Sequence, residues 1–274
     1  MACAAALGLG PVEPEVLKLA HHTSVRLAPW PIVARVDSSG DVERILPFMR
    51  RELEIAQHLA RANAPAVRPT SDPPPGPHVQ GRCAITLWDY VEHRPANEEA
   101  DIVAAGAALR DLHAALADYP GELPTISQAT DVCARLLADP SAMPALDASS
   151  RRLLTEQLDK LSGSDLDPAR FIGLHGDAHA GNILVTPAGP IWADLEAARL
   201  GPLEWELTSL PRAGHIHFEP FDRALLERLS LLRSVTVAVW CWNDADRSPE
   251  VREAAEYHLG RVRRARLVRG GETS

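Results

Sequence analysis

Apolar and polar positions change their period several times along the chain, and each change marks an element. Val25-Arg26-Leu27 and Ile32 to Val36 are short apolar or alternating runs flanking Ala28-Pro29-Trp30-Pro31, which predicts two strands and a connection. From Asp41 to Ala62 the apolar positions Ile45, Met49, Leu53, Ala56 and Leu59/Ala60 recur at helical spacing, with Glu52 next to that face. Pro65 to Pro77 (PAVRPTSDPPPGP) is incompatible with helix, because proline lacks the N–H donor and fixes φ, so it reads as a loop between strands. Cys83 to Val91 (CAITLWDYV) then reads as a strand.

Beyond residue 91 the period becomes helical. Asn97 is the expected N-cap, with Glu98 and Glu99 in a first turn that favours negative charge, and Ile102, Ala105, Leu109, Leu112 and Leu116 form the stripe. His113, beside that stripe, reads as a packed, hydrogen-bonded histidine. Further helices are expected at Asp131 to Leu137, Arg151 to Leu161 with Gly163 as a stop, Phe221 to Trp242, and Pro249 to Val268. The basic run Arg261 to Arg269 reads as a solvated helix face, and Trp240-Cys241-Trp242 as core.

The stretch Phe171 to Glu196 (FIGLHGDAHAGNILVTPAGPIWADLE) carries the chemistry. Two apolar runs, Ile183 to Val185 and Ile191 to Ala193, flank Thr186-Pro187-Ala188-Gly189-Pro190 and predict a β-hairpin. In an antiparallel pair the start of one strand lies beside the end of the other, so Asn182 and Asp194 converge at the hairpin mouth. Asp177 lies five residues before Asn182 on the loop that feeds it. Two carboxylates and an amide oxygen there suit a hard cation such as Mg²⁺.

Composition narrows the class. The 274 residues suffice for one large or two modest domains, and 46% hydrophobic with 24% charged content is that of a globular protein. A net charge of −9 argues against a general nucleic-acid binder. Cys3, Cys83, Cys133 and Cys241 are scattered without a CxxC pair, which suggests reduced, mostly buried thiols in a cytoplasmic protein. Residues Ala2 to Gly10 lack the basic flank of a secretory signal, and Val235 to Trp242 is too short to span a bilayer, so no membrane association is expected.

His175-Gly176-Asp177 with Asn182, then Asp194-Leu195-Glu196, resembles the kinase catalytic loop: a base Asp, an Asn five residues on, and a metal-binding Asp after a hairpin. Gly176 stands where protein kinases carry Arg, and no Ala-Pro-Glu element follows. His-Gly-Asp-x-His-x-Gly-Asn-Ile-Leu followed by Asp-x-Glu is similar instead to the aminoglycoside phosphotransferase and choline kinase superfamily. That resemblance implies an α+β, two-lobed protein-kinase-like fold, with a small β-rich N-terminal lobe over residues 1–90 and a larger, mostly helical C-terminal lobe over 91–274. It implies ATP- or GTP-dependent transfer of a phosphoryl group to a hydroxyl of a small molecule. Asp177 would accept or orient the hydroxyl proton, His175 would brace the loop, and Asn182 and Asp194 would hold Mg²⁺.

The same resemblance pairs a basic residue of the third strand with a helical glutamate around the nucleotide phosphates, here Arg35 and Glu52, with Glu54 as the competing partner. Lys is usual at the strand position; Arg keeps the charge, but its planar fork is bulkier. Asp89, Tyr90 and Val91 correspond to the hinge that meets adenine. No Gly-rich loop is present; Ala20-His21-His22-Thr23-Ser24 stands in its place, where Thr and Ser hydroxyls are candidate phosphate contacts. Gly201 to Leu207 resembles a Gly-Asp-Pro-x-x-Asp-Leu segment, with Glu206 where an Asp anchors the catalytic loop. Glu196, Glu204, Glu206 and Glu219 suggest an acceptor carrying an amine, such as an aminoglycoside or amino alcohol.

Two other readings stay open. The absent Gly-rich loop and Arg35 fit a nucleotide-binding protein without transfer. His175-x-Asp177-x-His179 with His215-x-His217 offers ligands for a metal-dependent hydrolase.

Overall fold

The structure, a computed structural model, describes residues 4–5, 7–19, 22–163 and 166–270. Along the chain run β1 (Glu13–Leu19), β2 (Thr23–Ala28), β3 (Ile32–Asp37), α1 (Val42–Arg61), β4 (His78–Gln80), β5 (Cys83–Asp89), β6 (Arg94–Pro95), α2 (Glu99–Ala117) and α3 (Ile126–Ala138). They continue with α4 (Ala148–Leu161), β7 (Ile172–Leu174), β8 (Ile183–Thr186), β9 (Gly189–Trp192), β10 (Arg199–Gly201), α5 (Leu203–Leu207), α6 (Arg223–Asn243) and α7 (Pro249–Gly270). Two compact units divide the chain. The first gathers Met1–Glu122, His175–Ala198 and Leu210–Phe218; the second gathers Leu123–Leu174, Arg199–Ser209 and Glu219–Ser274.

The first unit is built on a five-stranded sheet in the order β1-β2-β3-β5-β4, every neighbouring pair antiparallel. Successive residues of a strand face opposite sides, so Ala84 packs with Ile45 and Met49 of α1 while Ile85 and Leu87 join Leu27, Ile32 and Ala34 on the other face. The expected strands and first helix are found here. Strand β1 is additional: Glu-Pro-Glu-Val-Leu-Lys-Leu shows no alternation, and Glu13 to Lys18 are exposed at the sheet edge, where proline is tolerated.

Helix α2 begins one residue later than expected, with Glu98 rather than Asn97 at the cap. The cause is Asp101, which accepts from the Glu98 N–H at 3.2 Å and takes both Arg94 guanidinium nitrogens at 2.6 and 2.8 Å. Gly106 allows α2 to meet the 3₁₀ turn Arg212–Phe218 closely: a Cβ there would lie 2.6 Å from the Gly214 carbonyl oxygen. His113 is buried and tilted against Phe218, as a packed histidine.

The hairpin β8–β9 forms with Ile183 opposite Trp192 and Leu184 opposite Ile191. Trp192 pins it. Its side chain is fully buried, its Nε1–H donates to the Ala105 carbonyl at 3.1 Å, and its backbone exchanges bonds with Pro65 and Val67 of the proline-rich loop. The loop thus supports the hairpin through a single isolated parallel bridge between Ala66 and Trp192.

The second unit packs α3 to α7 around Leu154, Leu158, Leu229, Leu232, Val235, Val239 and Trp205, with β7 and β10 as a short antiparallel pair. Helix α3 starts at Ile126, ahead of the expected Asp131, because Thr125 and Gln128 form a capping box. Arg233 of α6 lies over the Trp205 ring at 4.4 Å and donates to Thr208 Oγ1. Trp242 is buried, but Trp240 is exposed, so the Trp-Cys-Trp cluster is core on one side only.

Replacing Trp192 by Phe removes the bond to Ala105 and leaves a cavity where the second ring of the indole lay. Denaturant unfolding should show a loss of about 2–4 kcal/mol, from the lost hydrogen bond and the cavity together, with the far-ultraviolet circular dichroism unchanged.

Candidate active site

The loop before the hairpin is held by its own backbone and one imidazole. Gly176 adopts φ 85°, a left-handed turn that a side chain would resist. His175 is fully buried against Trp192 at 5.3 Å; its Nε2 bonds to the Ala193 carbonyl at 2.9 Å, and its Nδ1 accepts from the Asp177 N–H at 3.3 Å. One nitrogen donating and one accepting is the pattern of a neutral ring. The Asp177 carbonyl receives the His179 N–H at 2.8 Å and the Asn182 Nδ2 at 3.0 Å, so Asp177 and Asn182 are fixed to each other. The Asp177 carboxylate itself is 43% exposed, with His179 Nε2 at 3.4 Å.

Beyond the hairpin, Asp194 takes φ 67° and ψ 70°, an unusual conformation for a residue with a Cβ. Arg35 engages it. One guanidinium nitrogen, Nη1, donates to Glu52, and the other, Nη2, lies 3.2 Å from Asp194 Oδ1 and 3.6 Å from Glu196 Oε2. Glu52 is therefore the helical partner of Arg35; Glu54 faces outward. His22, also buried, reaches Glu196 Oε2 at 2.9 Å and lies 3.5 Å from Asp37. Burial alone would lower Arg35, but Glu52, Asp194 and Glu196 outweigh it and hold the guanidinium cationic, above its ordinary value. Burial pushes the Glu52 carboxyl up to about 7 against the pull of Arg35, with Asp194 and Glu196 adding to the shift.

Arg35, Asn182 and Asp194 line a cavity of about 320 Å³ that also takes in Asp89, Tyr90 and Val91. Val33 and Leu184 supply apolar wall. The Asp89 N–H donates to the Arg68 carbonyl and the Tyr90 N–H to the Pro31 carbonyl, while Arg26 stacks over the Tyr90 ring at 4.1 Å. Burial raises the Asp89 carboxyl, with Arg68 opposing. Asp177 and His175 lie outside the cavity lining, and Glu52 reaches it through Arg35.

The donor chemistry fits a hard divalent cation. Asn182 commits its amide nitrogen to Asp177, which turns the oxygen to other use, and Asp194 presents a partly exposed carboxylate to the same cavity. Among the described residues no three His, Cys, Asp or Glu side chains form a metal-holding group. His175 and His215 bond to backbone carbonyls, and His179 accepts from the Gly181 N–H, which leaves the hydrolase reading without a ligand set.

One further expectation needs correction. Glu204 is buried and accepts from the Asp222 N–H at 2.9 Å, with Arg170 at 3.5 Å, and Glu206 is fully buried. Glu196 is turned to His22 and Arg35. Of the four glutamates invoked for an amine-bearing acceptor, Glu204 and Glu206 are buried in the fold, Glu196 lines the cavity while bound to His22 and Arg35, and Glu219 is exposed. In the stretch replacing a Gly-rich loop, Ala20 and His21 lie outside the described residues, Ser24 lines the cavity, and His22 is internal. Lys18 also lines the cavity and was hidden by the unrecognised β1.

A family model described as "Phosphotransferase enzyme family" matches residues 19–256. No curated protein sequence matches significantly. Among solved structures, amicoumacin kinase hAmiN in complex with AMP-PNP, Ca²⁺ and Ami is 11% identical with a TM-score of 0.72, covering 95% of this chain and 92% of that one. Choline kinase LicA from Streptococcus pneumoniae is 14% identical with a TM-score of 0.70, over 96% and 95% of the two chains. A thermostable mutant of aminoglycoside phosphotransferase APH(4)-Ia is 13% identical with a TM-score of 0.69, over 99% of each. The α+β, two-lobed protein-kinase-like fold expected from the sequence is the one these structures share with it.

Glu52 holds its proton more tightly folded than unfolded. Its contribution to stability is complete below the ordinary value of 4.5 and is lost as pH rises through about 7. Glu52→Gln abolishes that titration. Urea unfolding of both proteins across the window should show wild-type stability falling relative to the variant as pH rises; a difference that stays flat or grows contradicts the assignment.

Proposed function

The chain belongs to the phosphotransferase enzyme family, and from that premise we propose that it transfers the terminal phosphoryl group of ATP or GTP to a hydroxyl of a small molecule. The observation that carries this reading is the gathering of Arg35, Asn182, Asp194 and the Asp89–Val91 segment around one cavity. A nucleotide base would lie between Val33 and Leu184, against the hinge at Asp89 to Val91 where the N-terminal lobe of residues 1–90 gives way to the remainder. With the Asp89 and Tyr90 N–H groups bonded to the Arg68 and Pro31 carbonyls, Val91 is the hinge residue that would offer its N–H to the base edge.

Phosphoryl transfer needs little covalent help from the protein; alignment and charge neutralisation do most of the work. Mg²⁺, held by Asn182 and Asp194, would supply the charge that the triphosphate requires. Asp177 orients the acceptor hydroxyl and takes its proton, and its backbone link to Asn182 sets the base at a fixed place relative to the phosphate side. His175 keeps the loop in register through Asp177 and Ala193. Acceptors of the aminoglycoside or amino-alcohol kind rest on likeness to the family, since two of the four glutamates that suggested an amine, Glu204 and Glu206, are buried in the fold.

Among the described residues no helix is long and apolar enough to cross a membrane, and Cys83, Cys133 and Cys241 are free thiols. Both suit a cytoplasmic enzyme supplied with nucleotide.

Two substitutions separate the roles. Asp194→Ala should weaken Mg-nucleotide affinity and abolish turnover together. Asp177→Asn keeps the shape without the basicity, so nucleotide affinity should persist while turnover falls roughly 10² or more. Nucleotide titration, turnover and melting temperature on each variant check this; an Asp177→Asn protein that stays folded and turns over at the wild-type rate overturns the reading. Binding without turnover in the wild type would point instead to a nucleotide-binding protein.

A further inference from the structure

Between Val16 and Lys18 the pairing of β1 with β2 slips by one: Val16 faces Val25, but Lys18 faces Ser24. Leu17 is the extra residue of a β-bulge, and a bulge re-aims the side chains beside it. The consequence is unusual for a strand. Leu17 and Lys18, neighbours in sequence, both line the 320 Å³ cavity, and so does Ser24, the register partner of Lys18. An unbulged strand would turn one of the first two away.

The charge around Arg35 gives this lysine a task. The one guanidinium is met by Glu52, Asp194 and Glu196, so its positive charge is already more than balanced by protein carboxylates. A triphosphate entering beside it brings further negative charge. Lys18 is exposed, sits on a flexible stem, and reaches the same cavity from the hairpin that stands in place of a Gly-rich loop.

Resting on the phosphotransferase reading above, we infer that Lys18, with Ser24 beside it, is a phosphate-positioning residue for the nucleotide. In this division of labour Arg35 organises the carboxylates, and Lys18 supplies the movable cation that a tethered Arg35 does not. The bulge at Leu17 is the device that delivers it.

Lys18 and Lys160 are the only two lysines of the chain, and Lys160 lies on α4 in the other unit, which makes a clean experiment. The full-length protein is acetylated with a limiting amine-reactive reagent, alone, with Mg-ATP or Mg-GTP, and with adenosine or guanosine. Peptide mass spectrometry should show that the triphosphate slows modification of Lys18 while the nucleoside does not, with Lys160 unaffected. In parallel, Lys18→Met should weaken triphosphate binding by about 10- to 100-fold, the scale of one charged hydrogen bond. The loss should be smaller for the diphosphate and absent for the nucleoside, and Lys18→Arg should restore most of it.

Equal triphosphate affinity in wild type and Lys18→Met, or a loss of the same size for nucleoside and triphosphate, overturns the inference while the phosphotransferase reading stands. A wild-type protein that binds neither triphosphate overturns both.

Discussion

One guanidinium holds the candidate site together. Arg35 stands on β3, its first contact is Glu52 on α1, and its second and third are Asp194 and Glu196 just past the hairpin. Three segments distant in sequence therefore meet at one side chain. Burying such a group is favourable only when its donors are met, and removing one partner leaves the remaining charges uncompensated. Here a surplus of carboxylate keeps Arg35 cationic, while burial raises Glu52. The arrangement fixes the position of Asp194, the residue proposed to hold the metal, and helps explain how its backbone is kept in a left-handed conformation that few residues with a Cβ adopt.

The hairpin supplies the rest by ordinary means. Trp192 locks β9 to α2 and to the proline-rich loop, and β8 begins immediately after Asn182. His175 then bonds across to Ala193, the residue before Asp194. Backbone pairing thus sets the spacing between the amide of Asn182, the carboxylate of Asp194 and the loop that carries Asp177. Precision at the site comes from strands and buried rings; Asn182 is itself buried, and the Asp177 and Asp194 carboxylates are the polar groups left partly exposed for chemistry.

The hairpin, the helix bearing Glu52 and the strands around Arg35 were legible because apolar periodicity and Pro/Gly punctuation agree there. The convergence of Asn182 with Asp194 followed from antiparallel geometry alone. Strand β1 was not legible: an exposed edge strand lacks the alternation that a buried face imposes, and its bulge breaks what pattern remains. Lys18 was missed with it. Local sequence also misjudged Glu204 and Glu206, which are both buried; Glu204 is met by Arg170 and the Asp222 N–H, partners that no local pattern announces. The cap of α2 lies at Glu98 rather than Asn97 for a similar reason, the non-obvious pair of bonds that Arg94 donates to Asp101.

The account stands or falls on transfer itself. The full chain, incubated with Mg-ATP and separately with Mg-GTP, is offered a panel of hydroxylated and amino-hydroxylated metabolites and antibiotics, and the acceptors are read by mass spectrometry. The account predicts that at least one acceptor gains a single phosphoryl group on a hydroxyl, only when both nucleotide and Mg²⁺ are present. Nucleotide bound tightly in the cavity with no phosphorylated acceptor across the panel would contradict it.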